Sequence, residues 1–261
     1  MQKINEVTIL IPARLNSQRL PNKLLLEING LPIIEHVRRR AELNELGADV
    51  YVVSNDKKIL KTISGYGGKT IQTYKKHLNG TSRCSEAAER LKSKFYLILQ
   101  GDEILVLPRH INQLIIESIN TPNSKVINLI SKLEKESDLI DKNIVKCLIG
   151  MNKQIIALFR KSPLTSSSKI QMQLIYKVLG MFIFESNTLS QITKQPIQPL
   201  EKNEQIEQLR LQEIGTTINT ILVDKSLESV NVPADLSKVK KKLKNDKEQK
   251  QILTKILNYE K

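Results

Sequence analysis

Apolar and polar positions follow two different periods along the first half of the chain. Val7–Ile11 (VTILI) is an unbroken apolar run, the pattern of a strand buried on both faces of a parallel sheet. Gly30 then interrupts the chain, and Pro32 stands where a helix can begin. Ile33, Ile34, Val37, Ala41 and Leu46 share one helical stripe, which Gly47 closes. Asp49–Ser54 (DVYVVS) predicts a second strand and 56–65 a second helix. Lys69–Tyr74 predicts a third strand, 80–92 a third helix and Phe95–Leu99 (FYLIL) a fourth strand, which runs into Gln100-Gly-Asp-Glu103. Pro108 opens a further helix. Strands and helices alternating through short links predict an α/β fold with a doubly wound, mostly parallel, Rossmann-like sheet. The right-handed crossover rule limits its topology.

The second half is less regular. Val126–Leu133, Ile144–Leu148, Ile155–Phe159 and Leu174–Phe184 read as strands, mostly without helices between them. The stretch 199–212 (PLEKNEQIEQLRLQ) predicts one helix, Ile218–Val223 one more strand, and Pro233–Leu243 and 247–258 two terminal helices. Mixed strands should therefore extend the sheet and form a flap, which could serve a dimer. The expected organisation is a single domain over 1–240, followed by a lysine-rich helical extension over 241–261.

Charge adds less than its size suggests. The net charge is +14, a value that ordinarily raises nucleic-acid binding. Residues 238–261 hold nine lysines against Asp246, Glu248 and Glu260, so this tail alone supplies +6. Its plain reading is a solvated helix face. Aromatic residues are 4% of the chain and Trp is absent, which leaves few platforms for stacking bases. No apolar run approaches the roughly 20 residues that span a bilayer, and no signal peptide is visible. The expectation is a cytoplasmic protein with no membrane insertion. Cys84 and Cys147 form no framework, and His36, His77 and His110 form no zinc motif. Cys84 beside Arg83 is read as a small buried thiol, not an activated nucleophile.

The candidate chemistry lies at strand ends. IPARLNSQRLPNK, residues 11–23, carries Arg14, Arg19 and Lys23 and no acid. In open α/β sheets ligands bind beyond the carboxyl ends of strands, so this loop is placed to neutralise an anion. It is neither a Walker loop nor a GxGxxG fingerprint. Asp102 and Glu103 end the fourth strand. Mg²⁺ takes one or two carboxylates together with phosphate oxygens and water. A phosphate loop after strand one and a carboxylate after strand four suggest a Mg-nucleotide site, with Asp102 the better placed ligand.

These stretches also carry a resemblance. IPAR-x-x-S-x-RLP-x-K, GTSR at 80–83, QGDE at 100–103, N-x-VK at 143–146 and PLE-x-x-E-x-x-EQLR at 199–210 stand in order over residues 7 to 240. Together they resemble the sugar-acid cytidylyltransferases, above all the 3-deoxy-manno-octulosonate (Kdo) branch. The resemblance implies a nucleotidyltransferase sheet and transfer of CMP from CTP to a 2-keto sugar acid, with Mg²⁺ and release of pyrophosphate. It implies that Arg14, Ser17, Arg19 and Lys23 hold the triphosphate, and that Gly80, Thr81, Arg83 and Gln100 lie at the nucleotide. Arg83, Glu207 and Gln208 would face the sugar, and Asp102 and Asn231 the metal. Arg14, Lys23 and Asp102 would do the catalytic work. A homodimer is implied, and lipopolysaccharide assembly if the sugar is Kdo.

The match departs from the family pattern at four places. The family's V-D-x-P-x-D-L reads Val230-Asn-Val-Pro-Ala-Asp-Leu236, with Asn231 where a second metal-binding Asp is expected. Asp235 reads as a first-turn helix residue. H-L-G-x-Y reads Val178-Leu-Gly-Met-Phe182, which removes a histidine and a tyrosine hydroxyl from the sugar side. Ser82 replaces an acid, and Ile104 a proline. The acceptor is therefore Kdo or a related ulosonic acid, including amino-sugar analogues. The alternatives are a nucleotide-binding relative that has lost turnover and acts as a regulatory or scaffold protein, and a nucleic-acid binder acting through the lysine tail.

Overall fold

The computed structural model describes residues 6–16 and 19–259. Its strands are β1 (Val7–Pro12), β2 (Glu27–Ile28), β3 (Leu31–Pro32), β4 (Asp49–Ser54), β5 (Lys69–Gln72), β6 (Phe95–Leu99), β7 (Val126–Lys132), β8 (Lys146–Ile149), β9 (Ile155–Phe159), β10 (Ile175–Glu185) and β11 (Asn219–Val223). Its helices are α1 (Ile33–Glu42), α2 (Lys57–Gly65), α3 (Gly80–Ala88), α4 (Pro108–Asn120), α5 (Ser168–Leu174), α6 (Ser186–Lys194), α7 (Pro199–Glu204), α8 (Leu209–Glu213), α9 (Pro233–Asn245) and α10 (Lys247–Leu257).

The main sheet runs β5-β4-β1-β6-β10-β7-β11. β5, β4, β1 and β6 are parallel neighbours. β10 enters antiparallel between β6 and β7, and β11 closes the edge parallel to β7. One reversed strand thus sits in an otherwise parallel sheet. The apolar runs explain this placement: every residue of β1 and β6 is buried. Alternate β1 residues serve opposite layers. Ile9 and Ile11 pack with α1, α4, α9 and α10, while Leu10 packs with α3 and α6. The β8–β9 hairpin pairs onto the first residues of β10 and forms the flap.

The lysine-rich end divides by face. Val239, Leu243, Ile252 and Ile256 are buried in the first layer, while Lys240, Lys241, Lys244, Lys247, Lys250 and Lys255 face solvent. The buried Gln249 donates to the Leu105 carbonyl at 2.8 Å, fastening α10 to the loop after β6. Among the described residues no helix is long and apolar enough to cross a membrane.

The sequence reading is corrected at two places. The single helix expected over 199–212 is two, α7 and α8, broken at Gln205 with φ 54°. Arg160 takes the carbonyls of Glu204 and Gln205 at 2.8 and 2.9 Å, so the helix loses the acceptors it needs to continue. The break turns Ile206 inward, to 2% exposure. The second half also contains α5 and α6, short helices flanking β10 that the strand pattern did not predict.

One irregularity prepares the site. The register of β10 on β7 shifts between Val178 and Phe182. The buried Asn128 of β7 fills this bulge, its amide donating to the carbonyls of Leu129, Leu179 and Met181 at 3.0 to 3.1 Å. Gly180 lies within the bulge. A Cβ there would fall 2.4 Å from Glu103 Oε1, so only glycine lets the Glu103 carboxyl lie beneath it.

Candidate active site

A cleft of about 890 Å³ opens at the carboxyl ends of β1 and β6 and along the bulge of β10. Arg14, Gly80, Gln100, Asp102, Glu207, Gln208 and Asn231, all singled out from the sequence, line it. Gly80 begins α3, whose end is capped by Asn79 accepting from the Ser82 amide at 2.9 Å. A Cβ at Gly80 would lie 2.9 Å from the Pro12 ring and 3.3 Å from the Gln100 amide. The first loop, the start of α3 and the end of β6 therefore meet at van der Waals distance. An α3 N-terminus facing this junction favours negative charge.

Of the three cations of the basic loop Arg14 lines the cleft, while Lys23 and Arg19 meet it through lining residues. Lys23 begins a 3₁₀ turn after Asn22, which has φ 54°, and its ammonium pairs with Asp102 Oδ2 at 2.5 Å. Arg19 donates from Nη1 to Asn143 Oδ1, and from Nη2 to Asn231 Oδ1 at 3.4 Å. Ser17 lies outside the described residues. Arg83 does not line the cleft. It is buried behind the wall, with Nη1 donating to Asn55 Oδ1 at 2.7 Å and Thr73 Oγ1 at 3.0 Å, and burial lowers its pKa. Thr81, also buried, lies beside Glu207. Cys84 is fully buried, and burial pushes its thiol well above its usual range, so it is no thiolate nucleophile.

The far end of the cleft has a different character. Val178, Leu179 and Phe182 give it an apolar wall. Gln208 donates to Asn128 Oδ1 at 3.4 Å. Glu207 keeps its Oε2 enclosed and without a hydrogen-bond partner. Burial raises the Glu207 pKa, against the opposing effect of Thr81.

Glu103, Lys177 and Arg160 line the cleft without a role assigned from the sequence, and Lys146, the last residue of the N-x-VK motif, lies behind it. Glu103 was quoted only as a neighbour of Asp102. It is buried, and burial followed by the Asp102 charge raises its pKa to about 7. Lys177 donates to Leu227 O at 2.6 Å and Ser226 Oγ at 3.1 Å. Arg160 adds a bond to Lys142 O at 2.8 Å to those that break the 199–212 helix. Lys146 is fully buried and donates to the carbonyls of Asp141, Ile144 and Arg160 at 2.7 to 3.0 Å. Burial lowers its pKa to about 8. The available signal was a lone cation inside an apolar strand run, since such a charge must be paired with acceptors.

The residues at Asp102 fit one hard divalent cation. Asp102 presents a strand-end carboxylate to the cleft. Among the described residues no group of three or more His, Cys, Asp or Glu side chains converges to hold a metal. A cation here would draw its other ligands from phosphate and water, as Mg²⁺ does. The loop carrying Asn231 is docked alongside by Val230 N, which donates to Asp102 O at 3.2 Å. Asp235 is not free to join it. Its Oδ2 accepts from the amides of Asn231 and Val232 at 2.9 and 3.0 Å, in the first turn of α9 as the sequence suggested.

The family model described as Cytidylyltransferase matches residues 8–218. A 3-deoxy-manno-octulosonate cytidylyltransferase of Geobacter sulfurreducens is 31% identical over 91% of this chain and 99% of its own length. One from Thermodesulfovibrio yellowstonii is 33% identical over 90% of this chain and 97% of its own. The chain belongs to the 3-deoxy-manno-octulosonate cytidylyltransferase family. Among solved structures, a CMP:2-keto-3-deoxy-manno-octonic acid synthetase complexed with CTP superposes with a TM-score of 0.85 at 29% identity, covering 92% of this chain and 99% of that one. Within this cytidylyltransferase frame three of the residues that depart from the family motifs line the cleft. Val178 and Phe182 lie in or beside the β10 bulge, and Asn231 stands at the end of the basic loop's reach.

Proposed function

We propose that this chain transfers CMP from CTP to the anomeric hydroxyl of Kdo or a related ulosonic acid, releasing pyrophosphate. The observation that carries this reading is the Lys23–Asp102 pair, set between a basic loop and the start of α3. Such a pair supplies a cation for phosphate and a carboxylate for Mg²⁺ within one contact. Arg14, Arg19 and Lys23, with Ser17, take the triphosphate, and Gly80, Thr81, Arg83 and Gln100 shape the nucleotide's surroundings. Glu207 and Gln208 take hydroxyl groups of the sugar acid. Mg²⁺ bound at Asp102 would supply charge to the phosphate oxygens.

In the reaction the anomeric oxygen forms a bond to the α-phosphorus as the bond to the leaving pyrophosphate breaks. Negative charge grows on the phosphoryl oxygens and on that leaving group. Lys23, held by Asp102 before substrate arrives, stabilises that charge by electrostatic preorganisation, and Arg14 adds its charge from the cleft wall. No covalent enzyme intermediate is required, in keeping with a buried, high-pKa Cys84. The enzyme is placed in the cytoplasm, in lipopolysaccharide assembly if the acceptor is Kdo. It is placed as a homodimer, a second copy covering apolar flap residues such as Met151 and Ile156, which are 103% and 65% exposed.

A relative without turnover is the reading that Asn231 alone favours. The Lys23–Asp102 pair favours catalysis. Incubating the protein with CTP, Mg²⁺ and each of Kdo, an amino-substituted Kdo and a nonulosonic acid should yield a CMP-sugar acid by mass spectrometry with at least one acceptor. CTP bound but no conjugate from any of them would count against the reaction.

A further inference from the structure

Two asparagines face one arginine across the cleft. Asn143 stands on the loop before β8 and Asn231 on the loop before α9. Both amide oxygens accept from Arg19, through Nη1 and Nη2 respectively. The Asn231 amide nitrogen is also engaged, donating to Ser229 Oγ at 2.9 Å, and a guanidinium, which only donates, takes the oxygen end of the amide. The Asn231 oxygen is therefore turned to a cation of the chain. A metal ion at the same oxygen would have to displace that guanidinium or share the oxygen with it.

The neighbouring carboxylates are engaged as well. Asp235 accepts from two backbone amides and pairs with Lys238 at 3.2 Å. Glu228 pairs with Lys242 at 2.9 Å. Glu103 lies beneath Gly180. Asp102 is paired as well, through Oδ2 with Lys23 at 2.5 Å, but a carboxylate brings a negative charge and a second oxygen to a metal, whereas the Asn231 amide brings one neutral oxygen.

From this arrangement we infer that Asn231 is a positioning residue for Arg19 and not a metal ligand, so the site works with one divalent cation, held at Asp102. The inference rests on the proposed reading of the basic loop as the triphosphate site. An amide suits this role for a physical reason. A carboxylate would hold Arg19 equally well but would neutralise it. A neutral amide oxygen orients the guanidinium and leaves its full charge for the phosphates. Asn143 does the same from the loop before β8, so among the described residues two amides, and no carboxylate, hold Arg19. The loss of a negative charge at position 231 then leaves the charge of Arg19 unneutralised there.

The test counts metal ions without turnover. Mn²⁺ binding is followed by electron paramagnetic resonance on the full chain, with α,β-methylene-CTP as an unreactive nucleotide. Wild type should bind one Mn²⁺ per chain. Asn231→Ala should keep that stoichiometry and Mn²⁺ affinity while weakening the nucleotide analogue about tenfold, the scale of one hydrogen bond to a charged group. In an Arg19→Ala background the same substitution should add nothing further, and Asn231→Gln should recover part of the loss. Two Mn²⁺ in wild type, release of Mn²⁺ by Asn231→Ala, an unchanged nucleotide affinity, or an effect undiminished without Arg19 would each overturn the inference. A wild-type chain that binds no CTP analogue, or one whose analogue affinity ignores both Arg19→Ala and Lys23→Ala, would instead bring down the triphosphate reading itself.

Discussion

The two ends of the cleft are built on different principles. The end proposed for the nucleotide stands on β1 and β6, parallel strands buried throughout, and its charged groups come from the loops that follow them. There Lys23 pairs with Asp102, and Gly80 abuts Pro12 and Gln100. The end proposed for the acceptor stands on the one reversed strand and on loops tied by buried side chains. Asn128 fills the β10 bulge, and Lys146 and Arg160 tie the 141–146 and 204–205 segments by their carbonyls. Departures from the family motifs fall at both ends, Ser82 and Asn231 by the first and Val178 and Phe182 at the second, but Arg14, Arg19, Lys23 and Asp102 stand as the motifs have them. An end that depends on buried cations and a bulge can change its substrate-facing side chains without disturbing the parallel core. Chemistry common to all acceptors can thus stay fixed while acceptor preference changes.

The largest effect that separates the two ends is expected from Lys23→Ala. It removes a preorganised cation and leaves Asp102 unpaired, so kcat should fall about a hundred- to a thousandfold. Circular dichroism and the melting temperature should change little, because Lys23 lies outside the core clusters. A comparable loss from an acceptor-end variant with no change in KM for the sugar acid would erase the distinction.

At the acceptor end the corresponding blow is structural. Lys146→Met strips the donor from three carbonyls at 2.7 to 3.0 Å. Urea unfolding should show a loss of roughly 3–5 kcal/mol. KM for the acceptor should rise more than KM for CTP. Equal shifts in both constants would show that the loops at 141–146 and 204–205 do not belong to the acceptor end alone.

Glu103 bridges the two ends, and its pH behaviour measures that bridge. Its carboxyl titrates near 4.5 when unfolded and at about 7 here, raised first by burial and then by the Asp102 charge. A raised pKa favours the protonated form in the fold. The resulting stabilisation is full below about 4.5 and is lost as pH rises through about 7, in total about 3 kcal/mol. Stability of wild type relative to Glu103→Gln should therefore fall across that window. A flat difference would mean that Glu103 is better hydrated than its place beneath Gly180 implies.

The smallest effect concerns the break between α7 and α8. Gln205 holds φ 54° without the freedom of glycine. Gln205→Gly should raise stability by roughly 0.5–1 kcal/mol and leave both KM values unchanged.

How much could be read from the sequence follows the same division. VTILI, DVYVVS and FYLIL mark β1, β4 and β6 closely, because a strand buried on both faces is written as a local apolar run. Gly80, Gln100 and Asp102 were legible for the same reason, since strand ends locate loops. The 199–212 break was not legible, because its cause is Arg160 more than forty residues away. The bulge at Leu179–Met181 is set by Asn128 on another strand. Glu103, Lys177 and Arg160 joined the cleft only once β10 was seen to enter against β6 and β7, a pairing that no local pattern encodes.

The most direct measurement is pyrophosphate release from CTP and Mg²⁺, with and without Kdo, over a series of metal concentrations. Release that depends on Kdo and saturates in metal is expected, and it would show that Val178, Phe182 and Asn231 are compatible with turnover. CTP bound at the cleft with no release at any metal concentration, for Kdo or any other ulosonic acid supplied, would contradict it.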